Sequence, residues 1–529
     1  MAAPLSRHAH ARVLLALGLP LIGGHLAQFA IGATDTLMLG WYGVSDLAAG
    51  VLGTSVFFVF FIMGTGFAWA VMPLVAAAGA ADDPAQTRRV TRMGLWLSVL
   101  FAAACQPVTL NALPLLRALG QPETVARLAA EYLAIAGWGL FPALAVMVLK
   151  SYLAALERTQ VVLWVTVLAA LVNGAVNWVL IFGRLGLPEM GVQGAAIASV
   201  VIQLVSLAVL VPYAMRVFPE HDLFARLWRP DRAAFGQVVR LGWPIGLTNL
   251  AEVGLFSASA ILVGWLGEIP LAAHGIALQL ATATFMVHLG LSNAATIRAG
   301  QAYGRGDADG LARGGGVAIA LSLAFAAATV AVFLTVPEPL LGVFLDPDEP
   351  ARPEILALGA TLMVFAALFQ TVDGAQVMAL GLLRGLQDTR APMIMAALSY
   401  WGVGLPASYL GGFVLGWGAP GVWSGLVCGL ACAAGLMLYR FWGSALPALR
   451  ARAPEPGPAP SRAPGADPVP YRASGPDPAY PAVSLPAPPP AAERRSPGMS
   501  GDRSPPPAPH PPEPRAREPA PPKPPAADA

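Results

Sequence analysis

Twelve apolar runs, each long enough to cross a bilayer, follow one another from residue 13 to residue 443 and leave the chain little freedom of fold. They fall near 13–40, 47–80, 93–116, 125–153, 161–183 and 192–215, then near 238–266, 271–303, 312–336, 354–383, 391–413 and 419–443. About 20 apolar residues span the hydrocarbon as a helix, and each backbone amide must find its partner within its own segment. With 56% apolar and 12% charged residues and a mean hydropathy of +0.62, most of the chain can be solvated only by lipid. The expected class is an all-α integral membrane protein of twelve transmembrane helices.

The runs are organised as six plus six. Leu17–Gly50 recurs without a gap 224 residues later as Leu241–His274, with 11 of 34 positions identical, among them Pro20/Pro244 and Gly40-Trp41/Gly264-Trp265. A second echo, offset by 230, joins Leu153 and Thr159 to Leu383 and Thr389. Two pseudo-symmetric six-helix bundles are therefore expected at 1–215 and 241–445, joined by a cytoplasmic linker at 216–240. Pro20 and Pro244 are the expected kinks of spans 1 and 7. Residues 446–529 are expected to form a disordered proline-rich tail, because 27 of the 50 prolines lie beyond residue 450 and apolar residues become few. The first run is too long for a signal core and reads as an uncleaved span.

Basic residues set the orientation. With the N-terminus inside, the inner ends and loops up to residue 452 hold 20 Lys/Arg, and the outer side holds four: Arg117, Arg127, Arg184 and Arg352. The positive-inside rule then makes both termini cytoplasmic. A net charge of +2, spread over short loops and the tail, gives no reason to expect nucleic acid. Cys105, Cys428 and Cys432 lie within apolar runs and read as buried hydrophobes rather than a disulfide framework. No P-loop, HExxH, GxSxG or metal-spaced Cys/His cluster occurs. An enzyme is therefore not expected, nor is a cofactor.

Ionisable residues inside spans are costly and mark function by default. Three acids stand out: Asp35, Glu252 and Asp373. Glu252 lies 12 residues past Arg240 and Asp373 lies 11 before Arg384, which places both roughly 17–18 Å from one end of the bundle, free to meet. Asp35 belongs to the outer half of span 1. Asn173 and Asn177, at i,i+4 on one face of span 5, reach a comparable depth and can hydrogen-bond it. No Lys or Arg is expected at these depths, and an unpaired carboxylate in apolar surroundings holds a proton or takes a cation. Gln28, Asn249, Gln279, Asn293 and Gln370 are expected to line the cavity or to bond between helices. His25 and His288 read as satisfied core residues, and His274 as a cap or interface residue. The chemistry implied is proton or sodium binding exchanged with an organic cation.

Several segments together resemble the multidrug and toxic compound extrusion (MATE) family. They are P-x14-D-x-x-M-x-G at Pro20, Asp35, Met38 and Gly40, NLAEVGLF around Glu252, LAAHGIALQ at 271–279, and the run from Asp373 to Arg390. The resemblance covers about residues 10–445. It implies a V-shaped pair of six-helix bundles in the bacterial inner membrane, monomeric, exporting cationic amphipathic compounds in exchange for H+ or Na+. Asp35 with Asn173 and Asn177 matches that family's N-lobe ion site. Glu252 and Asp373 match the C-lobe cation site of its sodium-coupled branch, with Gln28 and Gln279 as further candidate binding residues. One departure is Phe369, where that branch can carry a tyrosine, so the C-lobe site loses an oxygen. The competing reading is a flippase of lipid-linked saccharides with the same architecture, which would need cationic residues in the cavity to hold a diphosphate.

Overall fold

The computed structural model describes residues 6–225 and 227–452, apart from the side chain of Arg452. Twelve helices long and apolar enough to cross a membrane make up the fold, and the described residues contain no strand. In chain order they are α1 (Arg7–Tyr42), α2 (Val44–Ala80), α3 (Pro84–Leu110), α4 (Glu123–Ala155), α5 (Thr159–Ile181) and α6 (Gly191–Val217). The second half comprises α7 (Arg232–Gly264), α8 (Glu268–Arg305), α9 (Ala308–Thr335), α10 (Arg352–Gly385), α11 (Arg390–Val414) and α12 (Ala419–Ala451). The end of the bundle at which α1 begins is here called basal, the other end distal.

Polar caps start several helices at the basal end. Ser6 accepts from Ala9 N at 3.2 Å, Asp83 from Gln86 N at 2.8 Å, Asp231 from Ala234 N at 3.0 Å and Asp307 from Gly310 N at 2.7 Å. Each satisfies one of the amides that a first helical turn leaves without a partner. The distal turn into α8 is made instead by Gly267, whose φ of 123° is open to glycine and costly to other residues.

The largest packed pairs of the first half have counterparts in the second. α2 lies on α4 as α8 lies on α10, α4 on α6 as α10 on α12, and α1 on α5 as α7 on α11. Between the halves α1 meets α8 and α2 meets α7, the same contact related by the pseudo-symmetry. These contacts need small residues. A Cβ on Gly66 would sit 2.4 Å from the Gly242 carbonyl oxygen, and Gly242 and Gly246 form the small-xxx-small face that lets α2 and α7 close. Gly304 lies as tightly against Ala77. All of these residues belong to the basal halves of their helices, so the halves are closed there.

The expected boundaries shift in three places. Residues 232–240, assigned to the linker, form the first turns of α7, because the helix begins at its Asp231 cap and not where the sequence turns apolar. Residues 446–452, assigned to the tail, continue α12 as helix, and residues 453–529 lie outside the described residues. Span 3 divides into α3 and a short helix, Ala112–Ala118, beyond Asn111. Pro20 and Pro244 sit inside α1 and α7 without interrupting either helix. The remaining connection, 218–231, is tied to the first half. Arg92 donates to the Leu223 and Asp222 carbonyls at 2.9 Å, Trp96 donates to Leu227 O at 2.8 Å, and Tyr152 bonds His221 Nδ1 at 2.6 Å. The Arg89 guanidinium beside Asp231 holds its carboxyl below the usual range.

Candidate functional site

Two acid sites occupy different halves. In the first, α1 carries Asp35 about two turns from its distal end, and α5 crosses beside it. Asn173 and Asn177 are one turn apart on α5, so their amides point to the same side. Both side chains are fully buried and both donate to Asp35 Oδ1, at 3.0 and 2.5 Å. The second carboxylate oxygen takes neither amide. Tyr132, buried on α4 and hydrogen-bonded by Thr54 at 3.2 Å, lies within electrostatic reach of Asp35.

The second site is a cavity of about 290 Å3 whose floor and walls come from both halves. α10 gives it one stripe: Phe369, Asp373, Val377, Leu380 and Arg384. α7 contributes Asn249, Glu252, Val253 and Phe256, and α2 contributes Phe58, Ile62 and Trp69. Each set repeats at three, four, seven or eleven residues, the intervals that return a helix to one face. The two acids do face the same space, as their depths predicted. Asp373 is 1% exposed and its Oδ1 has no hydrogen-bond partner. Apart from Asn249, Thr282 and Arg384, the rest of the lining is apolar, with Phe256, Phe285 and Phe369 among it. Such a cavity binds an amphipathic ligand through apolar area and fixes its charged end by a few polar groups.

One sequence expectation for this cavity needs correction. Arg384 lines it, 6% exposed, although no cation was expected at that depth. Its Nη2 donates to Asn249 Oδ1 at 2.8 Å, and its guanidinium carbon lies 5.3 Å from the centroid of the Trp69 ring. The spacing of 11 residues from Asp373 carries the signal: three turns of helix bring Arg384 within about 20° of the same face. Gln28 and Gln279 are both exposed and absent from the cavity lining. Gln279 neighbours the lining residue Leu278, and one residue is about 100° around a helix.

Other polar residues find partners between helices. Asn293 bonds His25 Nε2 at 3.0 Å across the two halves, His288 bonds Ser322 at 2.7 Å, and Trp423 donates to His274 Nδ1 at 3.0 Å. Gln370 donates to Thr284. Sequence reasoning also missed Tyr400. It stands on a π-helical stretch of α11, Leu398–Gly404, with its hydroxyl buried, unpartnered and within electrostatic reach of Glu252, Asp373 and Arg384. Phe369 does stand in the cavity wall without a hydroxyl.

A family model described as MatE matches residues 20–179 and 244–410, the two halves in turn. The chain is 47% identical over 435 residues to a probable multidrug resistance protein NorM of Rhizobium meliloti (strain 1021), covering 82% of this chain and 93% of that one. A protein of the same description from Pseudomonas aeruginosa is 38% identical over 449 residues, with 84% and 92% covered. Among solved structures, a MATE transporter in complex with MaL6 superposes with a TM-score of 0.75 at 22% identity, over 84% of this chain and 97% of that one. The eukaryotic MATE transporter AtDTX14 gives 0.73 at 19% identity, over 84% and 99%.

Proposed function

The chain belongs to the MatE family, whose members are transporters and not enzymes, and from that premise we propose that it is a secondary multidrug efflux transporter. It exchanges H+ or Na+ for cationic amphipathic compounds across a bacterial inner membrane, as a monomer with both termini cytoplasmic. The observation that carries this reading is the cavity: two acids in an apolar, aromatic chamber shared by both halves and closed at the basal end.

Antiport requires that ion and substrate each favour a different arrangement of the halves. Asp35 is the coupling residue. With Asn173 and Asn177 it forms a compact, pre-shaped carboxylate site near the distal end, suited to a proton or a small cation. Glu252 and Asp373 attract the organic cation. They also bind sodium, with the Tyr400 hydroxyl in place of the oxygen that Phe369 lacks. Neutralising Asp35 removes its attraction for a bound cation and favours a different packing of α1 against α5.

A lipid-linked saccharide flippase is the second reading, and Arg384 is the observation in its favour, since a diphosphate needs cations in the cavity. One arginine against two acids leaves the chamber a net acceptor of positive charge, and the cation reading stands. Ethidium efflux from proteoliposomes, with proton and sodium gradients imposed separately, tests it. Gradient-dependent ethidium export is expected; export of anionic compounds alone would overturn it.

A further inference from the structure

Arg384 has a position that its hydrogen bond alone does not explain. It is buried at the cavity floor, yet within the described residues it makes no ion pair inside 4.0 Å of Glu252 or Asp373. Its nearest polar partner is the neutral Asn249 oxygen, and its Nε has none. A guanidinium buried with a single neutral acceptor is poorly compensated. What remains to hold its charge is the field of the two acids in the same chamber and the face of the Trp69 ring.

Trp69 belongs to the other half. It lies on α2 one turn basal of Gly66, where α2 touches α7 most closely, so the stacking of Arg384 on Trp69 spans the boundary between the halves within their basal closure. The backbone of Arg384 is one residue from the end of α10. A change of rotamer can therefore carry the guanidinium out of the chamber to the basal surface, as long basic side chains do near helix ends.

We propose that Arg384 is a tethered occupant of the Glu252–Asp373 chamber, and that its grip on Trp69 keeps the halves closed at their basal ends until an incoming cation takes its place. The inference rests on the reading of the chain as an alternating-access transporter. In the unloaded protein the ionised acids hold the guanidinium inward and the latch is shut. A cation in the chamber neutralises that field, Arg384 loses its counter-charge and moves towards water, and the contact with Trp69 is lost. The unloaded protein is thus restrained from opening basally, which limits the futile return of an empty carrier. Arg384 is a positioning residue here, acting on transport through Trp69 and through competition for the acids.

Two readouts on the full chain in lipid nanodiscs test this. Ethidium binding by fluorescence anisotropy reports the competition: Arg384→Gln is expected to bind about tenfold more tightly than the parent, and Arg384→Lys to return within about threefold of it. Opening is reported by the rate at which a membrane-impermeant maleimide labels Ala294→Cys, with the three native cysteines replaced by alanine. Ala294 is fully buried on α8 against Gly18 of α1, in the basal contact between the halves. Without any ligand, Arg384→Gln and Trp69→Leu are each expected to raise labelling at least about fivefold above that of the unloaded parent. Parent-like labelling of both unloaded variants, or ethidium binding by Arg384→Gln no tighter than the parent's, overturns the proposal. The labelling arm needs no ligand. A parent that fails to bind ethidium therefore counts against the transport reading, while labelling still decides the latch.

Discussion

In the first half of the molecule a single acid is bracketed by two amide donors, whereas in the second half a pair of acids shares a chamber with an arginine and, at Asp373, an oxygen without a partner. The helices are the same by pseudo-symmetry, and the side chains are not. The repeat places Ser259 opposite Asp35, with Val403 and Ala407 opposite Asn173 and Asn177; Gln28, Ala143 and Ala154 stand opposite Glu252, Asp373 and Arg384. Neither half holds the groups that the other uses. The difference separates two kinds of recognition. Fixed donors around one carboxylate suit a compact ion. A chamber of about 290 Å3 walled by rings suits an organic cation of variable shape, held by charge and apolar area.

The largest effect that would break this comparison is at Asp35. Asp35→Asn is expected to abolish gradient-driven ethidium efflux, a loss of at least about 100-fold, with membrane insertion unchanged by fractionation. A normal efflux rate with proton dependence intact would remove Asp35 from coupling. Next come Glu252→Gln and Asp373→Asn, each expected to slow efflux by about tenfold, with any sodium stimulation lost at lower severity than the proton-driven rate. Removing one amide at a time sharpens the first site: Asn177→Ala and Asn173→Ala each forfeit a bond to a carboxylate and are expected to cost about tenfold in efflux rate. The smallest effect is predicted at Gln28 and Gln279. Both are exposed and off the chamber lining, so alanine at either should alter ethidium binding by less than about twofold. A larger change would mean that the chamber extends to them in another state.

Much of this arrangement is legible in the residues. Long apolar runs specify their own helices, and a pair of asparagines one turn apart at the depth of Asp35 is enough to foresee that contact. What escaped has definite causes. Arg384 was taken as a marker of the membrane edge, so its distance from Asp373 served as a ruler when its angle around the helix was the informative quantity. A side chain that long also reaches back into the protein when acids wait there. Tyr400 escaped because its stretch of α11 is π-helical, and the wider turn rotates it away from where a 3.6-residue period would put it. Gln28 and Gln279 lie off this chamber's lining, at an angle set by how each helix packs on its neighbours rather than by polarity. The beginning of α7 at Asp231 was hidden because hydropathy reports the membrane-buried part of a helix and the cap reports its start.

Binding and coupling can be separated in one preparation, by measuring ethidium affinity and gradient-driven ethidium efflux side by side for Asp35→Asn and Asp373→Asn. The account predicts a crossed pattern: Asp35→Asn binds ethidium within about threefold of the parent and does not export it, while Asp373→Asn binds at least about tenfold more weakly yet still exports at saturating dye. Equal losses of binding and efflux in both variants would contradict the division of labour between the two halves.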